Sequence, residues 1–206
     1  MTTRSRHLLL ATHNEHKRRE FARLLDGAGV PWELGMLPAE VVLPPEEGAT
    51  FAENALGKAR AAAQATEGPS IADDSGIEAA ALGGAPGVRS ARYAGEGATD
   101  GENLAKLMRE APAGSALEYV CAIAYVEPGG TERVFEGRCR GRMAAEPRGG
   151  RGFGYDPVFL PEGSARDGSA GAPTMAELSD EQKDAISHRG HAARALLAWL
   201  EEVDRS

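Results

Sequence analysis

Apolar positions along the chain fall into short runs and helical stripes that alternate. Leu8, Leu9 and Leu10 form a compact run, which predicts a buried strand over His7 to Ala11. Polar Thr12 to His16 breaks it. Phe21, Leu24 and Leu25 then recur at helical spacing and predict a helix from Glu15 to Asp26, with Gly27 as its stop. Pro31 to Gly48 reads as a strand and a loop, with Val41, Val42 and Leu43 as its apolar run. Thr50 and Glu53 stand at capping-box spacing ahead of Ala-rich sequence, so a second helix runs to about Thr66. Ser70 to Ala72 predicts a short strand that ends on Asp73-Asp74-Ser75-Gly76.

The second half continues the alternation. Residues 83–97 are Gly-rich and predict a loop. Asp100 is the expected cap of a helix with Leu104, Leu107 and Met108 on its apolar face. Leu117 to Val126 and Arg133 to Arg142 predict a hairpin around Pro128, Gly129 and Gly130. Residues 145–156 read as a Gly-rich loop, Val158 to Leu160 as a short strand, and Pro161 to Pro173 as a mobile loop. Ser179 and Gln182 repeat the capping-box spacing. Ala192, Ala195, Leu196, Trp199, Leu200 and Val203 give the last helix its stripe, and Gly190 is the expected break between helix segments. Strands alternating with helices predict an α/β fold. No repeat or linker interrupts it, so residues 1–206 are read as one domain.

Composition narrows the function classes. A chain of 206 residues can bury one sizeable core, or one domain with two lobes. The net charge of −8 argues against a nucleic-acid binder. It does not oppose a small anionic ligand, because a few cations in one place outweigh distant carboxylates. No apolar run approaches a membrane span, and no secretory apolar segment follows Met1 to Arg6. Cys121 and Cys139 are too few for a disulfide scaffold. They lie nearly symmetrically about the hairpin turn and are read as free thiols of a cytoplasmic protein.

Five clusters carry candidate chemistry. Thr12-His13-Asn14-Glu15-His16-Lys17 joins a strand to a helix start, whose backbone N–H groups and Lys17 suit a triphosphate. The same residues also make a polar turn with a solvated lysine. Asn54 and Lys58 share one helix face, and Glu46 precedes that helix. Asp73 and Asp74 repel each other unless a cation intervenes, which suits Mg²⁺ ligation or water activation; an Asx turn is the alternative. Gly152-Phe153-Gly154-Tyr155-Asp156-Pro157 offers close backbone approach and rings that stack on a base, or a plain turn with two packed rings. Lys183, His188 and Arg189 supply donors for phosphate or a base carbonyl. Phosphate-loop, dinucleotide and nucleophile-elbow signatures are absent.

Together these segments resemble the inosine triphosphatase-like family of pyrophosphatases, which act on purine nucleotides with non-standard bases. The resemblance lies in Leu10-Ala11-Thr12-x-Asn14-x-x-Lys17, Phe51-x-Glu53-Asn54-Ala55-x-x-Lys58-Ala59 and Ala72-Asp73-Asp74-Ser75-Gly76. It continues in Leu82 to Val88, Ser90 to Tyr93, Phe153 to Pro157 and Ser187-His188-Arg189-Gly190. It implies an elongated central mixed β-sheet with flanking helices, two lobes around a substrate cleft, and a homodimer. It implies that Thr12 to Lys17 hold the triphosphate, with Lys58 near the phosphates. Glu46 and Asp74 would be Mg²⁺ ligands, Asp74 also the general base, and Ser75 a substrate contact. Phe153, Gly154, Tyr155, Asp156, Lys183, His188 and Arg189 would bind the nucleoside. His13, Asp184 and the long segment 164–173 depart from the family pattern.

The implied reaction is attack of water on the α-phosphorus of dITP, ITP or XTP, releasing pyrophosphate. Donors such as His188 or Arg189, aimed at the 6-oxygen of hypoxanthine or xanthine, would disfavour the amino group of adenine. Three other readings compete. A nucleotide sensor without turnover is opposed by Asp74 and Glu46. A related septum-inhibitor-type enzyme for modified pyrimidines is opposed by the Phe153 and Ser187 segments. A haloacid-dehalogenase-like phosphatase needs Asp-x-Asp, which adjacent Asp73 and Asp74 do not supply.

Overall fold

A computed structural model describes residues 6–26, 32–163 and 171–205. The expected helix stop at Gly27 and most of the expected mobile loop lie outside the described residues. Among the described residues, six strands form one sheet in the order β2-β1-β3-β4-β5-β6. They are β1 (Arg6–Leu10), β2 (Trp32–Met36), β3 (Ser70–Ala79), β4 (Ala116–Val126), β5 (Glu132–Met143) and β6 (Phe159–Pro161). β1 pairs in parallel with β2 and β3, and β5 pairs antiparallel with β6, so the sheet is mixed. Among the described residues five α-helices accompany it: α1 (Glu15–Asp26), α2 (Phe51–Thr66), α3 (Asp100–Glu110), α4 (Asp180–Ile186) and α5 (His188–Asp204). The α/β class is as the alternation of elements predicts, and the mixed sheet is as the family resemblance implies.

The chain packs as two compact units. The first holds 1–74, 121–137 and 189–206; the second holds 75–120 and 138–188. In the first, Leu8, Leu10, Phe21, Ile71, Ile123 and Leu196 are sealed from solvent. Burying one such side chain contributes about 1.5–3 kcal/mol, so this core anchors β1, α1 and α5 firmly. In the second, Ile77, Leu107, Tyr119, Val158, Phe159 and Met175 form the equivalent core.

Several boundaries differ from expectation for physical reasons. Val41 to Leu43 lie in a loop, with Val42 86% exposed, and the strand forms earlier at Trp32–Met36. There β1 offers a register partner for every residue, which three apolar side chains between Pro38 and Pro44 lack. β3 does not stop at Ala72 but runs on through Asp73 to Ala79. The N-cap of α3 is Thr99 rather than Asp100; its side chain accepts from the Glu102 N–H in a capping box. Gly190 sits inside α5, and the break falls at extended Ser187. On α5 the buried stripe includes Ala193 and Leu197, while Ala195 and Val203 are exposed. Residues 83–97 include a turn of 3-10 helix over Gly87–Arg92. The turn between β4 and β5 is closed by the Glu127 N–H donating to the Thr131 carbonyl at 2.9 Å. Both cysteines are free and buried.

Candidate active site

The register of β1 on β3 sets up the first unit's polar cluster. Leu10 pairs with Ile71, and the Ala11 N–H donates to the Ile71 carbonyl at 2.7 Å. Two residues further on come Thr12, just beyond the end of β1, and Asp73 on β3, so the start of α1 lies near the first acid. Asn14 caps that helix: its Oδ1 accepts from the His16 N–H at 2.9 Å and the Lys17 N–H at 3.1 Å. The Asn14 N–H in turn donates to Thr12 Oγ1 at 3.2 Å. Thr12 is half-buried, and His13, Glu15 and His16 are exposed. The Glu15 carboxylate pairs with Arg18.

Lys17 reaches back from the first turn of α1 and places its Nζ 3.0 Å from Asp73 Oδ2. The same oxygen accepts from Arg189 at 3.1 Å through Nη2 and 3.4 Å through Nε. Another nitrogen of that guanidinium pairs with buried Glu20. Burial opposes the Asp73 charge, but Lys17, Arg189 and Lys58 outweigh it and hold the carboxyl well below the usual range. Arg189, expected among the nucleoside-binding residues, is therefore engaged with two carboxylates and is 1% exposed.

Asp74 has a different environment, because successive residues of a strand face opposite sides. Its Oδ2 accepts from Asn54 Nδ2 at 2.8 Å. The Oδ1 of Asn54 accepts from the Gly48 N–H at 2.7 Å, so one buried amide joins β3 to the loop that carries Glu46. A Cβ at Gly48 would meet that Oδ1 at 2.7 Å, so only glycine allows the approach. Burial pushes the Asp74 carboxyl up, and the neighbouring Glu46 charge adds to this against Lys58, Lys17 and the Asn54 amide.

Lys58, one helical turn beyond Asn54, pairs with Glu46 and donates to the Asp73 carbonyl at 2.6 Å. Burial disfavours its charge, yet Asp73, Glu46 and Asp74 raise its pKa overall. Burial likewise opposes the Glu46 charge, but Lys58 and Lys17 keep that carboxyl below its ordinary value. The structure thus brings Lys17, Glu46, Lys58, Asp73 and Asp74 into one electrostatic group within the first unit.

The second unit gathers the other expected residues. Asp156 is buried and accepts at both oxygens: from Tyr119 Oη at 3.1 Å on Oδ1, and from Lys183 Nζ at 2.7 Å and the Phe153 N–H at 3.0 Å on Oδ2. Lys183 also lies 5.1 Å from the Phe153 ring centroid. Gly152 has a φ of 72°, and a Cβ there would strike the Asp156 carboxylate. The Gly154 N–H donates to Asp100 at 2.8 Å, and buried Tyr155 donates to the Ser90 carbonyl at 2.7 Å. His188 is buried and stacks on Tyr119. Ser75 and Asp184 are half-buried.

Sequence reasoning passed over Glu20 and Tyr119, and over the pairing of Asp73 with Lys17 and Arg189. Glu20 carried a readable signal: it lies one turn before Leu24 and beside Phe21, on the apolar face of α1. A carboxylate on such a face needs a buried cation. Tyr119 gave no such signal, since it fits the apolar run of β4.

Comparison with known proteins adds direct findings. A family model described as the Ham1 family matches residues 8–199. A dITP/XTP pyrophosphatase of Frankia alni is 47% identical over 206 residues, covering 95% of this chain and 98% of that protein. Its counterpart from Mycolicibacterium paratuberculosis is 48% identical over 207 residues, with 97% and 98% covered. A HAM1 protein from Coxiella burnetii has a solved structure that matches with a TM-score of 0.82 at 38% identity, covering 96% of this chain and 99% of that one. A nucleoside-triphosphatase / dITP/XTP pyrophosphatase from Mycobacterium abscessus matches with a TM-score of 0.70 at 42% identity, covering 93% and 98%.

Proposed function

The chain belongs to the Ham1 family, and from that membership we propose that it hydrolyses purine nucleoside triphosphates with non-standard bases, such as dITP, ITP and XTP. The products are the nucleoside monophosphate and pyrophosphate. Removing such nucleotides from the pool keeps them out of DNA and RNA. The observation that carries the reading is the group of buried Lys58 and Asp74 with half-buried Lys17 and Glu46 around β3, in a chain 45–48% identical to several dITP/XTP pyrophosphatases.

Mg²⁺ fits the donors present. Among the described residues, no group of three or more His, Cys, Asp or Glu side chains could cage a metal. Mg²⁺ needs less: one or two carboxylates, with water and substrate phosphates completing its shell. Glu46 and Asp74 are electrostatically coupled hard-oxygen groups whose mutual repulsion a dication relieves, and they would hold it. The bound ion would neutralise charge on the phosphates.

The chain's own residues do the rest. Lys17 and Lys58 attract the β- and γ-phosphates and stabilise charge on departing pyrophosphate. Asp74, oriented by Asn54, receives a proton from the water that attacks the α-phosphorus. The water's oxygen forms the new bond to phosphorus, and the bond to the bridging oxygen breaks. Arg189, itself paired with Glu20, holds Asp73, which fixes Lys17. On the base side, Asp156 anchors Lys183 and the Phe153 loop, and His188 supplies a donor toward a 6-oxygen. The reading also takes the protein as a homodimer of the cytoplasm, where nucleotide pools are found.

Product analysis tests this. The protein with Mg²⁺ and dITP or XTP is expected to release pyrophosphate and the monophosphate, and to turn over dATP and dGTP far more slowly. Release of orthophosphate instead overturns the reaction; equal rates on dATP and dITP overturn the base selection.

A further inference from the structure

Tyr119 contacts two candidate base-side residues that come from different elements. It lies on β4 and is 6% exposed. Its ring stacks on the His188 imidazole with centroids 4.6 Å apart and planes 7° apart. Its hydroxyl donates to Asp156 Oδ1 at 3.1 Å. Phe159 packs against the same ring at 4.5 Å. His188 opens α5, whereas Asp156 sits in the turn before β6. The core position on β4 asks only for an apolar side chain; a tyrosine that meets a histidine face and a carboxylate does more than fill it.

We infer that Tyr119 is a specificity-determining positioning residue, which holds the plane of His188 by stacking and ties it to Asp156. The inference rests on the proposed pyrophosphatase reading and deepens it. An imidazole donates in the plane of its ring, so a 6-oxygen is read only when that plane is fixed. With the plane fixed, the N–H points at an acceptor and is opposed by adenine's amino group. A ring free to tilt loses the contact with the keto purine and escapes the opposition from the amino purine. Tyr119 thus acts on the ratio between the two substrates rather than on the chemical step. An aromatic pair of this kind is worth about three- to tenfold in an equilibrium constant.

Kinetics on dITP and dATP with Tyr119→Leu and Tyr119→Phe test this, with thermal denaturation as the control for folding. Tyr119→Leu is expected to raise KM for dITP about three- to tenfold, with kcat nearly unchanged, and to narrow the dITP/dATP ratio of kcat/KM. Tyr119→Phe keeps the stack but loses the hydroxyl's bond to Asp156, and is expected to narrow that ratio less than Tyr119→Leu does. Should the leucine variant unfold, Tyr119→Met supplies the same contrast. The His188 ring protons, seen by NMR, should carry the shift of a stacked ring in wild type and Tyr119→Phe and lose it in Tyr119→Leu. A folded Tyr119→Leu protein with an unchanged ratio, or a loss confined to kcat, overturns the inference alone. A wild-type protein that releases no pyrophosphate from dITP overturns the functional reading, and the inference with it.

Discussion

Arg189 donates twice to a single oxygen of Asp73, from Nη2 at 3.1 Å and from Nε at 3.4 Å. Both residues are essentially sealed from water, and Glu20 takes another nitrogen of the guanidinium. Removing the cation takes the guanidinium from two buried carboxylates and leaves Asp73 to Lys17 and Lys58. Arg189→Ala is expected to lose about 3–5 kcal/mol of stability, measured by urea denaturation. A loss below about 1 kcal/mol would show that the network is solvated.

Asp74 is oriented by Asn54 and is the proposed acceptor of the water proton. Asp74→Asn preserves shape but removes the basic oxygen. Its kcat on dITP should fall by about 10²–10⁴-fold while the thermal midpoint stays within a few degrees. Full activity in this variant would end its catalytic role.

Gly48 brings its N–H to 2.7 Å from Asn54 Oδ1, and a Cβ there would also meet the Glu53 Cβ at 2.8 Å. Gly48→Ala must push the Glu46 loop away from α2. The expected cost is about 1–3 kcal/mol in stability, with weaker Mg²⁺-dependent turnover. Titration of activity against Mg²⁺ should show a higher half-saturating concentration than wild type.

Burial pushes the thiols of Cys121 and Cys139 up to about 12, with Asp73 adding at the first and Asp156 at the second. Iodoacetamide at pH 8 should label the folded protein far more slowly than the urea-unfolded chain. The pH dependence has a definite sign. Unfolded thiols ionise near their ordinary value of 9.0, so between there and about 12 the unfolded state binds fewer protons. Stability is therefore expected to fall as pH rises through that window. Urea midpoints at pH 8 and pH 10 check it, and the combined Cys121→Ala and Cys139→Ala variant should show a smaller drop.

Local order was legible in the residues themselves. The helix over Glu15 to Asp26, the capping boxes at Thr50 and Ser179, and the hairpin about Pro128 to Gly130 follow from spacing over a few positions. These features depend on neighbours in sequence, and propensity and capping act over that range. Where pairing partners lay far away, expectation failed: β3 continues through two acids because Lys17, Arg189 and Lys58 offset the charge of Asp73 and Asn54 binds Asp74. Val41 to Leu43 stay outside the sheet, while Trp32–Met36 finds a partner strand.

The sequence by itself determined which groups are candidates for the site, since Lys17, Glu46, Lys58, Asp74, Asp156, Lys183 and His188 could be picked out by type and order. Only the tertiary structure decided which partner each side chain takes. It separated Asp73 from Asp74 by sending them to opposite faces of β3, gave Arg189 to Asp73 and Glu20, and set Tyr119 against His188. The physical reason is one of range. Residue type fixes the charge and hydrogen-bonding capacity of a group, whereas its protonation and partner depend on burial and on charges brought near by residues tens to more than a hundred positions away.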